Sequence, residues 1–364
     1  MIRVLQIVNI MDRAGLETML MNYYRNIDRE KIQFDFLTHR KEKGAYDDEI
    51  EKLGGKVYHA PRLYPQNYLK YFRWMQDFFL EHPEYRIVHS HIDSMSYLPL
   101  LAAKKAGIPI RIAHSHNTKI PMDFKYPLKQ YFRMKINIVC NYRLACGKEA
   151  GNHLFGGHDF SIIPNAIMPD AFYFNENVRL KKREELKIKD KFVIGHVGRF
   201  SRQKNHSFLI RIFSELVKMR PNALLLLVGE GEIKDKIERQ VMELGLKNNV
   251  VFLGNRSDVN ELYQAMDVFV MPSIFEGLPV VGVEAQANGL PCLFSDTISS
   301  EVLLTNQAEM MSLKCHPKEW ADKVMNMRRE KGEDARTQLA EKGYDIQIEA
   351  QKLQECYVQM YNKK

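Results

Sequence analysis

At 364 residues, 45% of them hydrophobic and 27% charged, the chain has the length of two ordinary domains and the balance of a folded globular protein, which excludes disorder. Five scattered cysteines with no Cys-x-x-Cys pair exclude a disulfide framework and a cysteine-based zinc site, and fit a reducing, cytoplasmic compartment. The net charge of +8 is concentrated: between Lys104 and Lys148, ten Lys or Arg stand against Asp123 alone.

The N-terminal run "IRVLQIVN" (2–9) reads as a strand; it ends in a loop holding Gly15, and "LETMLMNYYRNI" follows with helical spacing. This opening stretch is too short to span a membrane and carries no small-residue cleavage site. Further strands are expected at 34–38, 56–60, 85–91 and 109–116, with helix-like stretches such as 97–107 between them. Next comes "KIPMDFKYPLKQYFRMKINIVCNYR" (119–143), in which bases are mixed with Phe124, Tyr126, Tyr131 and Phe132. Such a mixture suits a solvated helix face with core aromatics, an anionic membrane surface, or nucleic acid. Turn residues and a charged helical piece over 164–191 place a linker near residue 170. Beyond it, strands are expected at 192–198, 223–229, 250–254, 267–273 and 291–296.

Alternating strands and helices with short connections imply an α/β chain of two doubly wound domains, 1–170 and 171–345, each built on a mostly parallel sheet. Such sheets bind ligands at the carboxyl ends of their strands, so a central cleft faced by both domains is the expected site. No Gly-x-Gly-x-x-Gly follows a strand, which argues against a dinucleotide dehydrogenase.

Two loops carry the sharpest chemistry. "RFSRQKNH" follows the 192–198 strand and puts Arg199 and Lys204 just before a helix, where fixed cations and free N–H groups would both favour a diphosphate; solvated surface bases are the plainer reading. "PSIFEGLPVVGVEAQANGLP" (272–291) places Glu276 in a turn and Glu284 eight residues on, near one helical face. Glu276 could simply oppose the helix dipole, whereas Glu284 sits among valines and alanines and needs a partner, either ligand hydroxyls or a core salt bridge. Two His-Ser-His triplets end successive strands, and residues two apart share a face, so His89 with His91 and His114 with His116 each present a pair of imidazoles. Four imidazoles could hold a metal ion; with no thiolate near and Asp93 the one close acid, satisfied core histidines are the competing reading and no metal is assigned.

In order and spacing, the "VGR…KN" of 197–205, the "VGEGE" at 228, the segment "FLGNRSDVNELYQAMDVFVMPS" ending at Ser273, and the Glu-x7-Glu of Glu276 and Glu284 resemble the retaining family-four glycosyltransferases of exopolysaccharide and capsule type. The resemblance spans the chain and is stronger in its C-terminal half. It implies the GT-B fold, two Rossmann-like domains facing a cleft, the first binding acceptor and the second a nucleotide-sugar, with a C-terminal helix (346–364) crossing back to the first. On that resemblance Arg199 and Lys204 bind the donor diphosphate. Glu276 contacts the sugar hydroxyls with help from the N–H groups of Gly277 and Leu278, and Glu284 holds the ribose. The base lies over the loop from Gly254 to Asp258, with Arg256 as a wall. Ala14 and Gly15 stand where the family commonly has two glycines, which leaves Gly15 as the donor-side candidate there. His114 matches the family's active-site histidine, and His116 and Asn117 are acceptor-side candidates.

Departure of the diphosphate builds negative charge, so Arg199 and Lys204 would act as electrostatic catalysts, and no carboxylate pair flanks the bond as in a hydrolase. Retention by front-face attack is imported from the family. The chain contains no Asp-x-Asp triplet, so a metal-independent reaction without cofactor is expected, the nucleotide-sugar, UDP-linked as in most relatives, being a substrate. The expected partners are that donor, a saccharide or lipid-linked acceptor in surface polysaccharide assembly, and an anionic membrane face meeting residues 104–148, but not nucleic acid. Rivals are a nucleotide-sugar epimerase or phosphorylase of the same architecture and a non-catalytic subunit of a transferase.

Overall fold

The computed structural model describes residues 1–120, 123–329 and 335–363. The chain divides into two compact units, Met1–Ala166 with Ile346–Lys364, and Ile167–Asp345.

The first unit holds seven parallel strands: β1 (Ile2–Ile7), β2 (Ile32–Thr38), β3 (Val57–His59), β4 (Ile87–Ser90), β5 (Ile110–Ser115), β6 (Tyr142–Ala145) and β7 (Ser161–Ile162), in the order β3-β2-β1-β4-β5-β6-β7. The second holds six: β8 (Phe192–Val197), β9 (Ala223–Val228), β10 (Val250–Gly254), β11 (Val268–Met271), β12 (Cys292–Ser295) and β13 (Ala308–Met311), in the order β10-β9-β8-β11-β12-β13. In both, strand order reverses beside the first strand, as doubly wound sheets require. β2, β8, β9 and β11 are buried at every position, because helices cover both faces. The strands β6, β7 and β13 were not among the expected ones. β6 lies at the end of the basic stretch, β7 is only two residues long, and β13 reads "AEMM", with no β-branched or aromatic residue to mark it.

The helix Ile346–Asn362 belongs to the first unit and lays Tyr357 on the face of β1, β2 and β4. There the Tyr357 ring packs edge-on against Phe34, centroids 5.9 Å apart, and its hydroxyl reaches Gln6 and His89. A partly buried ion pair, Arg3 to Asp35, ties the amino end of β1 to the middle of β2. In the second unit, apolar clusters line both sides of the sheet, one around Phe213, Leu225 and Trp320 and the other around Tyr263, Phe269 and Phe294.

The basic stretch is largely one helix, Tyr126–Val139; residues 121 and 122 lie outside the described residues. Phe132, Ile136 and Val139 face inward, whereas Pro127, Tyr131, Met134 and Ile138 are exposed, a spacing that draws one apolar stripe along the outer side. No helix among the described residues is long and apolar enough to cross a membrane.

Candidate active site

The loop after β8 and the loop after β11 are tied together by side chains. Asn205 adopts a left-handed backbone, φ 56°, which asparagine tolerates better than most residues, and its amide donates to the Pro272 carbonyl at 3.1 Å. Beside it, Gln203 donates to the Phe275 carbonyl at 3.0 Å, and the Ile274 N–H returns a bond to the Gln203 carbonyl at 2.8 Å. The clamp carries Lys204 onto Glu276: Nζ lies 2.8 Å from Oε1, with the two side chains only 15% and 11% exposed. Gly198 leaves room for this lysine, since a Cβ there would stand 3.1 Å from its Cε. Gly229, at φ 134°, lets the "VGEGE" turn approach so closely that its own Cβ would meet the Gly198 carbonyl at 2.3 Å.

Lys204 and Glu276, named separately from sequence, are thus brought together. Other candidates are placed differently. Arg199 points outward, 75% exposed, with Nε 3.4 Å from Glu232. Arg256 is engaged by Asp258 at 2.6 and 2.7 Å, and Lys182 holds the same carboxylate at 2.9 Å, so the expected wall is a neutralised cluster. Gly254 ends β10 at φ 64° and accepts the Gly229 N–H at 2.9 Å, a junction between turns. Gly277 and Leu278 are buried in the turn before the helix Val280–Ala287, whose N-cap is Pro279. Glu276 therefore lies ahead of this helix and does not share a helical face with Glu284. Gly15 opens the helix Gly15–Asn26 in the first unit and is exposed.

Among the described residues Glu284 has no salt bridge, but its carboxylate is not isolated: the Tyr263 hydroxyl lies 3.0 Å from Oε2. Burial pushes its carboxyl up to about 7, partly offset by that hydroxyl. Sequence reasoning missed Tyr263 because nothing local marks a tyrosine in a buried helix as the partner of a residue 21 positions away.

In the first unit the four histidines form one block. Register sets His89 opposite Ile112, so His91 comes level with His114, and His116 lies one pleat further out. His89 and His91 are 4.0 Å apart between ring centroids, as are His114 and His116 at 4.1 Å. His89 Nε2 lies 3.1 Å from His114 Nδ1, and His91 Nδ1 lies 3.0 Å from His116 Nε2. Burial holds all four rings neutral, driving their pKa values far below the ordinary range, to about 3 for His116. Nitrogens of His89, His91 and His114 fall within 4.8 Å of one another, the spacing of a metal cage. Yet both nitrogens of His89 and of His91 already have side-chain partners, Tyr357 and His114 for one, Gln6 and His116 for the other. This is the hydrogen-bonding pattern of satisfied core histidines.

A cavity of about 460 Å³ opens in this unit, with His91, Asp93, His116, Asn117, Lys125 and Lys129 among its walls. His114 is not in its lining; it is fully buried one pleat below His116, although sequence had placed it at the cleft edge. Asp93, in a left-handed conformation at φ 47°, accepts the His116 N–H at 2.8 Å and the Asn117 amide at 2.7 Å and so fixes the strand end.

The pattern of glycosyl transferases group 1 matches residues 178–346 of the chain. A protein of Bacillus subtilis (strain 168) named glycosyltransferase EpsF is 38% identical over 362 residues, covering 95% of this chain and 93% of its own. The chain belongs to the group 1 glycosyltransferases. This glycosyltransferase is also 26% identical to an Escherichia coli UDP-Gal:alpha-D-GlcNAc-diphosphoundecaprenol alpha-1,3-galactosyltransferase, over 77% of each chain. Its fold matches that of HepE from Anabaena, solved with UDP-glucose, at a TM-score of 0.83 and 19% identity, covering 99% of this chain and all of that one. The architecture is GT-B.

Proposed function

We propose that this glycosyltransferase moves a sugar, with retention of anomeric configuration and without a metal ion, from a UDP-sugar to a saccharide or lipid-linked acceptor of surface polysaccharide assembly. The observation that carries this reading is the clamp that seats Lys204 against Glu276 at the carboxyl ends of β8 and β11. An ammonium has three donors; one spent on Glu276 leaves two for phosphate oxygens, in a site where low exposure strengthens each interaction. Charge grows on the departing diphosphate, and Lys204, with Arg199 swinging in from solvent, stabilises it. Glu276 orients the sugar hydroxyls beside the Gly277 and Leu278 N–H groups, and Glu284, braced by Tyr263, holds the ribose. The departing phosphate takes the proton of the incoming hydroxyl, which attacks on the same face.

His116 and Asn117, on the wall of the first unit's cavity, receive the acceptor. His114 meets the donor sugar after the segments covering it move aside, since it is fully buried. The E. coli relative transfers to a diphosphoundecaprenol-linked sugar, which supports a lipid-linked acceptor presented at the inner face of a membrane. The stripe of Pro127, Tyr131, Met134 and Ile138, set among Lys125, Lys129, Arg133 and Lys135, has the chemistry of an anionic lipid surface.

Incubation with a panel of nucleotide-sugars and diphosphoprenyl-linked saccharides tests the reading. Transfer from a UDP-α-sugar should give an α-linked product with chelator present; a β-linked product, or transfer that chelator abolishes, contradicts it.

A further inference from the structure

The buried face of the first sheet carries a chain of hydrogen bonds that branches in two arms from one amide. Gln6 on β1 stands opposite His89 on β4. Its Oε1 lies 2.8 Å from His91 Nε2, and its Nε2 lies 3.3 Å from the Tyr357 hydroxyl. The Tyr357 hydroxyl lies 2.7 Å from His89 Nδ1. From His89 the chain runs on to His114, and from His91 to His116.

Neutral imidazole carries one donor and one acceptor, so a single fixed end sets every ring in such a chain. Gln6 Oε1 can only accept, which puts the proton of His91 on Nε2 and leaves its Nδ1 bare. The bare Nδ1 accepts from His116 Nε2–H, and His116 Nδ1 is left bare. On the other arm, Gln6 Nε2–H donates to the Tyr357 oxygen, so the phenol proton goes to His89 Nδ1. His89 then donates through Nε2 to His114 Nδ1, and His114 carries its proton on Nε2. That Nε2 is buried and has no hydrogen-bond partner among the described residues.

We propose that Gln6 is a positioning residue for sugar transfer: its amide locks all four imidazoles as Nε2–H tautomers, making His114 Nε2 a hydrogen-bond donor and His116 Nδ1 an acceptor on the cavity wall. This rests on the proposed function for the meaning of the two outputs, a donor for a sugar oxygen and an acceptor for the hydroxyl of the incoming substrate. The amide can face only two ways, and the second is the inverse of the first. Turned over, it gives Nδ1–H at every ring, a bare nitrogen at His114, and a donor at His116.

Histidine-selective 15N labelling of the full chain distinguishes protonated from bare ring nitrogens without any substrate, with assignments from single histidine variants. The wild type should show Nε2–H at all four positions; Nδ1–H at His114 overturns the proposal. In Gln6→Glu a carboxylate accepts from both sides, so Tyr357 turns its proton away from His89. His89 and His114 should then switch to Nδ1–H while His91 and His116 stay as they were. Tyr357→Phe, which adds no buried charge, should leave His89 and His114 as a mixture of tautomers with His91 and His116 again unchanged. Unaltered tautomers at His89 and His114 in either folded variant overturn the wiring. In Gln6→Glu, kcat should fall on the order of 10- to 100-fold with the donor KM changed much less. A loss in kcat without a tautomer switch assigns Gln6 a merely structural role. Failure of the wild type to transfer sugar at all, with the tautomers as stated, sinks the function and not the wiring.

Discussion

On the proposed function, donor chemistry turns on Lys204, the cation held in place by an acid and by its own loop. Lys204→Ala should lower kcat by about 10² to 10³, the usual effect of deleting one preorganised donor to a developing anion, and retain the fold. Lys204→Arg should recover only part of that, since a planar fork does not match a point charge wedged above Gly198. A steady-state assay of UDP release with acceptor present measures both, and an unchanged rate in Lys204→Ala would remove it from the mechanism. Glu284 yields a pH-dependent expectation. Its folded pKa is raised above the unfolded value of 4.5, to about 7, so its contribution to stability is whole below 4.5 and is lost as pH rises through 7. Glu284→Gln removes that loss, so the variant should gain stability over wild type between pH 5 and pH 8, by up to about 3 kcal/mol. Denaturant unfolding at the two pH values reports the difference, and equal differences at both would mean that the carboxyl is not held in its neutral form.

At the scale of elements, the clamp between the loops after β8 and β11 converts sequence motif into geometry. Asn205→Ala places a Cβ-bearing residue without a stabilising amide in the left-handed region and deletes the bond to Pro272; it should cost about 1 to 2 kcal/mol. Asn205→Gly relieves the backbone but not the missing bond, so it should be milder in stability and similar in activity. Thermal unfolding beside transfer kinetics separates the two; an alanine variant as active as wild type would show that the clamp is not needed to seat Lys204. The helix Tyr126–Val139 makes a second expectation at this scale. Replacing Tyr131, Met134 and Ile138 together by serine should reduce flotation with phosphatidylglycerol vesicles while leaving stability nearly unchanged, because these side chains are exposed. Undiminished flotation would assign the stripe no lipid role.

For the whole molecule, seven imidazoles dominate the acid response: the buried His39, His89, His91, His114, His196 and His206, and His116 on the cavity wall, are held neutral by desolvation. Their folded pKa values lie below the unfolded value of 6.5, so the unfolded chain takes up protons first as pH falls. Stability is therefore full above 6.5 and declines below it, by up to about 1.4 kcal/mol per pH unit for each histidine. Glu17 and Glu284, both raised to about 7 by burial, and Asp47 and Asp93, also raised by burial, oppose this trend but are four carboxyls against these seven rings. The melting temperature should drop by several degrees between pH 7 and pH 5; a flat or rising profile would show that these rings accept protons in the folded state.

The sequence by itself determined the doubly wound architecture and the loops that carry the proposed donor-side residues, for a local reason. Apolar runs and turn residues are written within a few positions of one another, and Lys204, Glu276 and Glu284 sit in loops and a helix that directly follow such runs. It did not reveal β6, β7 or β13, whose strand character comes from neighbours and not from their own residues. It marked His114 and His116 as a pair but could not say that one would be sealed in and the other left on a cavity wall, because depth depends on register between β4 and β5. Gln6 read as one polar position in an apolar strand, Tyr263 as one aromatic in a helix, and Tyr357 as part of a terminal helix. Their roles come from contacts with residues 85, 21 and 268 positions away, and only the folded chain makes those contacts.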